Sequence, residues 1–271
     1  MIREDAVSIS ESPNAGKDGA AGQSSGICAV STSKRIIEGD FMDQLQSFAD
    51  DRLLVGCIHC TGPAETRDHV PSRILLDEPY PTNLPVVPAC AACNTGFSLD
   101  EEYVACLVEV ARTGSVELVA RPKIRRILEA SPALAARLAQ ARVVDGNGTV
   151  SFTTENERVK DVVLKLARGH AAYELNEQQL DEPTHLMVVP LHTLDSRARE
   201  HFENPPQPTA WPEVGTRAMQ RMVVAGKSVY HLGWVDVQPG QYRYAAIAEG
   251  AVMIRFVLGE YLACEVIWEE A

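Results

Sequence analysis

The sequence contains no run of about eighteen uncharged apolar residues, so nothing in it reads as a membrane span. Its first residues, Met-Ile-Arg-Glu-Asp, lack the apolar stretch of a secretory leader. Glycine-rich phosphate loops of the GxGxxG or Walker type are also missing, which removes the usual grounds for a nucleotide-driven reaction. Basic charge is scarce: 25 Lys and Arg against 37 Asp and Glu leave a net charge of −12, unfavourable for a protein that would draw affinity from phosphate contacts. Cysteine is sparse and unevenly placed. Of seven, four form two CxxC pairs and three (Cys28, Cys106, Cys264) stand alone, a pattern that argues for metal ligation in a reducing compartment over a disulfide framework. A soluble, cytoplasmic protein is expected.

What the chain does have is concentrated between Cys57 and Glu102. The pairs Cys57/Cys60 and Cys90/Cys93 are separated by enough chain to form a hairpin, and thiolates from two such knuckles converge on the tetrahedral corners that zinc prefers. Between them lie Asp68-His69-Val70-Pro71 and Asn83 ahead of Leu84-Pro85-Val86-Val87, and Asn94 follows the second pair directly. Thr66 to Val70 and Leu84 to Val87 read as two strands, joined by a long loop with a helical turn near Arg73-Ile74-Leu75. Ser98-x-x-Glu101 has the form of a capping box, which predicts a helix from Ser98 with Leu99, Tyr103, Cys106 and Val110 on one face. A metal site supplies folding free energy that so small a core cannot.

Asp68-His69, Asn83-Leu84 and Cys90-Ala91-Ala92-Cys93-Asn94 together resemble the HNH endonucleases, in the subset whose ββα-metal finger is clamped by a CxxC…CxxC zinc site. The likeness covers about fifty residues. Asn94-Thr95-Gly96-Phe97-Ser98-Leu99-Asp100-Glu101-Glu102-Tyr103 and Lys165-Leu166-Ala167-Arg168-Gly169 are similar to segments of a bacterial HNH group. The resemblance implies a phosphodiester hydrolase acting on nucleic acid, DNA ahead of RNA. His69 would be the general base, since imidazole titrates near the operating pH. Asp68 and Asn94 would hold one Mg²⁺ or Mn²⁺, hard oxygen ligands suiting that ion. Asn83 would tie the loop, and zinc on Cys57, Cys60, Cys90 and Cys93 would stay structural. Many members carry a Lys three residues after the Asn or His; here that position is Phe97.

Several residues admit a plainer role. Asn94 can cap or fill a turn after the knuckle, and Asp100, Glu101 and Glu102 are the carboxylates expected in a first helical turn. His59 could compete as a zinc ligand or sit exposed in its turn. Cys106 reads as a small buried hydrophobe. Residues 112–142 hold seven basic side chains (Arg112, Arg121, Lys123, Arg125, Arg126, Arg137, Arg142) and two acidic ones, either a surface that tracks a nucleic-acid backbone or a solvated face.

The expected architecture is α+β: a mobile segment over 1–35, a zinc-finger nuclease unit with a lead-in helix over 36–112, and a C-terminal α+β unit over 113–271. In the last, helices are predicted from Ser131 to Ala141 and from Asn156 to Tyr173, and a turn at Asp145-Gly146-Asn147-Gly148 between short strands. An antiparallel meander is predicted over Val229–Val237, Tyr242–Ile247, Val252–Leu258 and Tyr261–Trp268. His170, His185, His192, His201 and His231 lack ligand spacing, and Trp211, Trp234 and Trp268 lack basic neighbours, so both sets read as structural. A homo-oligomer stays open. The alternative to a nuclease is a non-catalytic zinc module that binds nucleic acid or a protein partner. A third reading is an effector released by a signal at the C-terminal region, as in bacterial phage defence.

Overall fold

The computed structural model describes residues 8–10, 56–81, 84–206, 230–231 and 233–269. The expected lead-in helix over 36–54, Asn83, Trp211 and most of the segment 1–35 lie outside them.

A hairpin comes first in the described chain after the short strand β1 (Ser8–Ser10). Strands β2 (Thr66–His69) and β3 (Val86–Ala89) pair antiparallel, with Asp68 opposite Val87 and His69 opposite Val86. A single 3-10 turn at Arg73–Leu75 interrupts the connection, as the sequence predicts. Helices α1 (Ala91–Gly96) and α2 (Ser98–Thr113) follow at once.

Helix α2 is buried on nearly all sides from Tyr103 to Ala111, the signature of a helix inside a core and not on it. Two expectations change here. Leu99 is 71 % exposed while Tyr103, Cys106 and Val110 are buried, because the first turn projects beyond the packed stretch. The capping box does not form either: Ser98 makes no cap bond, and the Glu101 carboxylate is engaged by Ser72 and Lys165.

Helices α3 (Pro122–Ala130) and α4 (Pro132–Gln140), each opened by proline in its first turn, pack on α2. Strands β4 (Arg142–Val144) and β5 (Val150–Thr153) flank the expected Asp145 turn, and β1 adds to β5. Helix α5 (Asn156–His170) then crosses α2 and ends in a π-helical turn at Ala171–Leu175.

The last third is an antiparallel sheet in the order β6 (His185–Pro190), β11 (Leu262–Glu269), β10 (Ala251–Leu258), β9 (Tyr242–Ala248), β8 (Trp234–Gln238), β7 (Tyr230–His231), with α6 (Ser196–Glu203) between β6 and β7. The strand expected over Val229–Val237 is two strands, since Gly233 adopts φ +86 and turns the chain back. Alternation sorts the sheet into two faces. Tyr242, Tyr244, Ile254, Phe256, Cys264 and Val266 join the core around α2 and α5. Ala245, Ile247, Val257 and Ala263 form a second cluster with Phe202 of α6. The units expected over 36–112 and 113–271 share the first of these cores, which runs from Leu75 through Tyr103 to Trp268. No helix among the described residues is long and apolar enough to cross a membrane.

Candidate metal centre and the buried site beside it

The first knuckle is a tight turn: the Cys57 N–H donates to Gly62 O at 2.7 Å, and Thr61, at φ +62, returns its N–H to Cys57 O at 2.8 Å. Backbone N–H groups also point at sulfur, His59 to Cys57 Sγ at 3.4 Å and Cys93 to Cys90 Sγ at 3.3 Å. The sulfurs of Cys57, Cys60, Cys90 and Cys93 all lie within 4.8 Å of one another. Cys60 and Cys90 are 3.7 Å apart at Sγ. A tetrahedron with Zn–S bonds of about 2.3 Å has edges of about 3.8 Å, so the spacing suits that ion. The Cys93 N–H lowers the Cys90 thiol to about 7, whereas burial raises Cys93. One sulfur therefore gives up its proton readily, and a bound cation would collect the rest. The four cysteines form a cluster that could hold a metal such as zinc.

Beyond the knuckles, strand β2 turns Asp68 inward to 5 % exposure. Its Oδ1 lies 3.0 Å from Lys165 Nζ on α5, and its Oδ2 lies 3.4 Å from His59 Nε2. Burial alone would raise the Asp68 pKa, but the His59 hydrogen bond and the Lys165 charge outweigh it and hold the carboxyl below its ordinary value. Lys165 also reaches Ser72 Oγ at 2.7 Å and pairs with Glu101, to which Ser72 donates. Phe97 closes one side, edge-on to His59 at 5.2 Å and 5.8 Å from the Lys165 ammonium. The expectation of an exposed His59 is overturned: its side chain is 2 % accessible, because it is drawn in by Asp68 and Phe97.

His69, the next residue, has no hydrogen bond in this network, although the charges of Asp68 and Lys165 are felt at its ring. Its Nε2 is buried and has no protein hydrogen-bond partner among the described residues. Burial first, then the charge of Arg73, lowers its pKa from 6.5, with Asp68 opposing. The imidazole is thus neutral near pH 7.

Asn94 is held elsewhere. Its Nδ2 donates to Thr66 Oγ1 at 3.1 Å and to Arg67 O at 3.4 Å, tying α1 back to β2, and no hydrogen bond joins it to Asp68. The divalent ion implied for Asp68 and Asn94 does not fit this arrangement, since Asp68 has each oxygen against a nitrogen donor and Asn94 is turned to the strand. Asp100 pairs with Arg158, so it and Glu101 both have intramolecular partners.

The basic segment is also engaged within the molecule. Arg121 binds Asp77 at 2.8 Å and Leu75 O at 3.1 Å, and Lys123 binds Arg73 O at 2.5 Å and Leu76 O at 2.8 Å, so both clamp the loop after His69. Arg112, Arg125, Arg126, Arg137 and Arg142 likewise have acceptors on the chain itself. Trp234 and Trp268 are buried with their indole N–H groups on Glu203 O and Asp181 O, as befits core residues.

Ser72 is a member of the site that the sequence reading does not name, and Lys165 enters that reading only as the start of the Lys165–Gly169 likeness, with no role attached. For Lys165 a signal existed. Val162 precedes it by three residues and Gly169 follows by four, which places a charge inside the buried stripe of α5. No family model, curated protein or solved structure matches this chain.

Proposed function

We propose that the chain is a phosphodiester hydrolase of the HNH type, acting on nucleic acid, with zinc on the four cysteines as a structural staple and His69 as general base. One observation carries the reading: a hairpin stapled by two knuckles and followed by helices leaves His69 at its strand end with an Nε2 that has no hydrogen-bond partner among the described residues. In the reaction, Nε2 takes a proton from water, the water oxygen bonds to phosphorus, and the 3′ oxygen departs with the electron pair of the broken P–O bond and takes a proton from solvent. Arg73, whose charge is felt at His69, is a cation that could meet the phosphate beside that imidazole. The test is nicking of supercoiled plasmid by zinc-loaded protein, wild type against His69→Ala, with and without added Mg²⁺ or Mn²⁺. Nicking by wild type that the substitution abolishes, with zinc retained, supports the proposal; equal nicking by both, or none by either, ends it.

The second reading is a zinc module that binds nucleic acid or protein without cutting. It is favoured by the saturation of Asp68 and by the internal use of the basic segment. Nucleic-acid binding that survives His69→Ala, with neither protein cutting, would select it.

A further inference from the structure

The Asp68 centre sets two carboxylates, Asp68 and Glu101, against one ammonium, with Ser72 between them. All are nearly sealed from solvent: Asp68 and Ser72 at 5 %, Glu101 at 8 % and Lys165 at 4 %. Two buried carboxylates require a cation close by, because ionised groups removed from water are tolerated only when paired. The oxygens that converge there (Asp68 Oδ1, Ser72 Oγ and a Glu101 oxygen) are hard donors of the kind Mg²⁺ and Mn²⁺ take. The point at which such an ion would meet them is filled by Lys165 Nζ, 3.0 Å from Asp68 and 2.7 Å from Ser72. The remaining Asp68 oxygen faces His59.

Lys165 has little freedom to leave. Its neighbours Val162, Val163, Leu164, Leu166 and Ala167 belong to the main core. One turn on, the backbone of Gly169 lies against Val70: a Cβ built there would stand 2.7 Å from Val70 Cγ2. Helix α5 is therefore seated directly on the residue that follows His69, and no slack separates the ammonium from its carboxylates.

We propose that Lys165 is the resident cation of the Asp68 centre and stands in place of a divalent ion. Among the described residues, wild type then holds metal on its cysteines and not at Asp68, and removing the ammonium converts the centre into a divalent-cation site. Lys165 is a positioning residue: it neutralises Asp68 and Glu101 and fixes α5 against the strand that carries His69. This deepens the hydrolase reading, resting on it only for the importance given to Asp68, and its test reads metal binding and not cleavage, so either can fail without the other.

Mn²⁺ is added to zinc-loaded, full-length protein and the free ion is followed by its electron paramagnetic resonance signal. Wild type should leave the signal as in buffer, Lys165→Ala should remove one equivalent, and Lys165→Ala combined with Asp68→Asn should remove none. Should Lys165→Ala be too unstable to titrate, its melting temperature should rise with Mn²⁺ concentration while that of wild type does not. Wild-type binding of one equivalent that Asp68→Asn abolishes would overturn the proposal. So would a folded, zinc-bound Lys165→Ala that takes up no Mn²⁺, or an unstable one whose melting temperature ignores it.

Discussion

Asp68 and His69 are neighbours on one strand and meet opposite surroundings, because successive side chains of a strand point to opposite sides. Asp68 is ionised against Lys165 and His59; His69 is neutral, depressed by burial and by Arg73. Both shifts act on stability in the same direction. The unfolded chain binds a proton at His69 from about 6.5 downward while the folded chain resists it, so stability falls as pH drops below that value. Asp68, depressed from 3.8, contributes stability that is present above its unfolded pKa and lost as pH falls through the folded one. Urea midpoints should therefore decline from pH 7 to 5, and His69→Gln should flatten that part of the decline while leaving the acid limb. A midpoint in His69→Gln that falls as steeply as in wild type over pH 7 to 5 would contradict the assigned state of His69. Asp68 and His69 were legible in the sequence from their place between the knuckles. Their partners were not: Lys165 lies 97 residues beyond Asp68, and only tertiary packing brings it there.

Helix α5 shows what a single backbone position can decide. Gly169 occupies the interior of a helix, where glycine is less favourable than alanine by about 0.5–1 kcal/mol, yet a Cβ would meet the Val70 methyls at 2.7 and 3.1 Å. Overpacking should win: Gly169→Ala is expected to destabilise by about 1–3 kcal/mol. Adding Val70→Ala should recover part of that loss, a coupling measurable by urea unfolding of the four members of the cycle. Strictly additive losses would show that α5 and Val70 are not in contact there. Element types read well from pattern, since the meander, the Asp145 turn and α5 all follow from periodicity and turn chemistry. Val229–Val237 did not, because its apolar run conceals the turn that Gly233 makes. Leu99 failed for a related reason: helical spacing gives a face, and not where along the helix the core begins.

At the scale of the whole molecule, two kinds of cohesion coexist. The hairpin is backed by a small cluster of Ile58, Val70, Val87 and Ala172, whereas α2, α5 and the C-terminal sheet share a large apolar core. Stripping metal with a strong chelator should then release the knuckles and spare the rest. Amide hydrogen exchange should lose protection over the knuckles, residues 57–65 and 90–96, and keep it over Val252–Glu269. Simultaneous loss in both regions would mean that the staple holds the entire fold. The charge balance also makes sense at this scale. The run of basic residues that reads as a nucleic-acid surface in the sequence includes Arg121 and Lys123, which brace the loop beside His69 and so spend their donors inside the molecule. On the proposed reading, this arrangement places one neutral imidazole at the strand end. The most direct test is the pH dependence of plasmid nicking by zinc-loaded wild type and His69→Ala. The rate of wild type should rise with pH to a plateau with its midpoint below 6.5, and the variant should be slower by about 10²–10⁴-fold with that step gone. A variant that cuts as fast as wild type, with the same pH profile, would show that His69 is not the base.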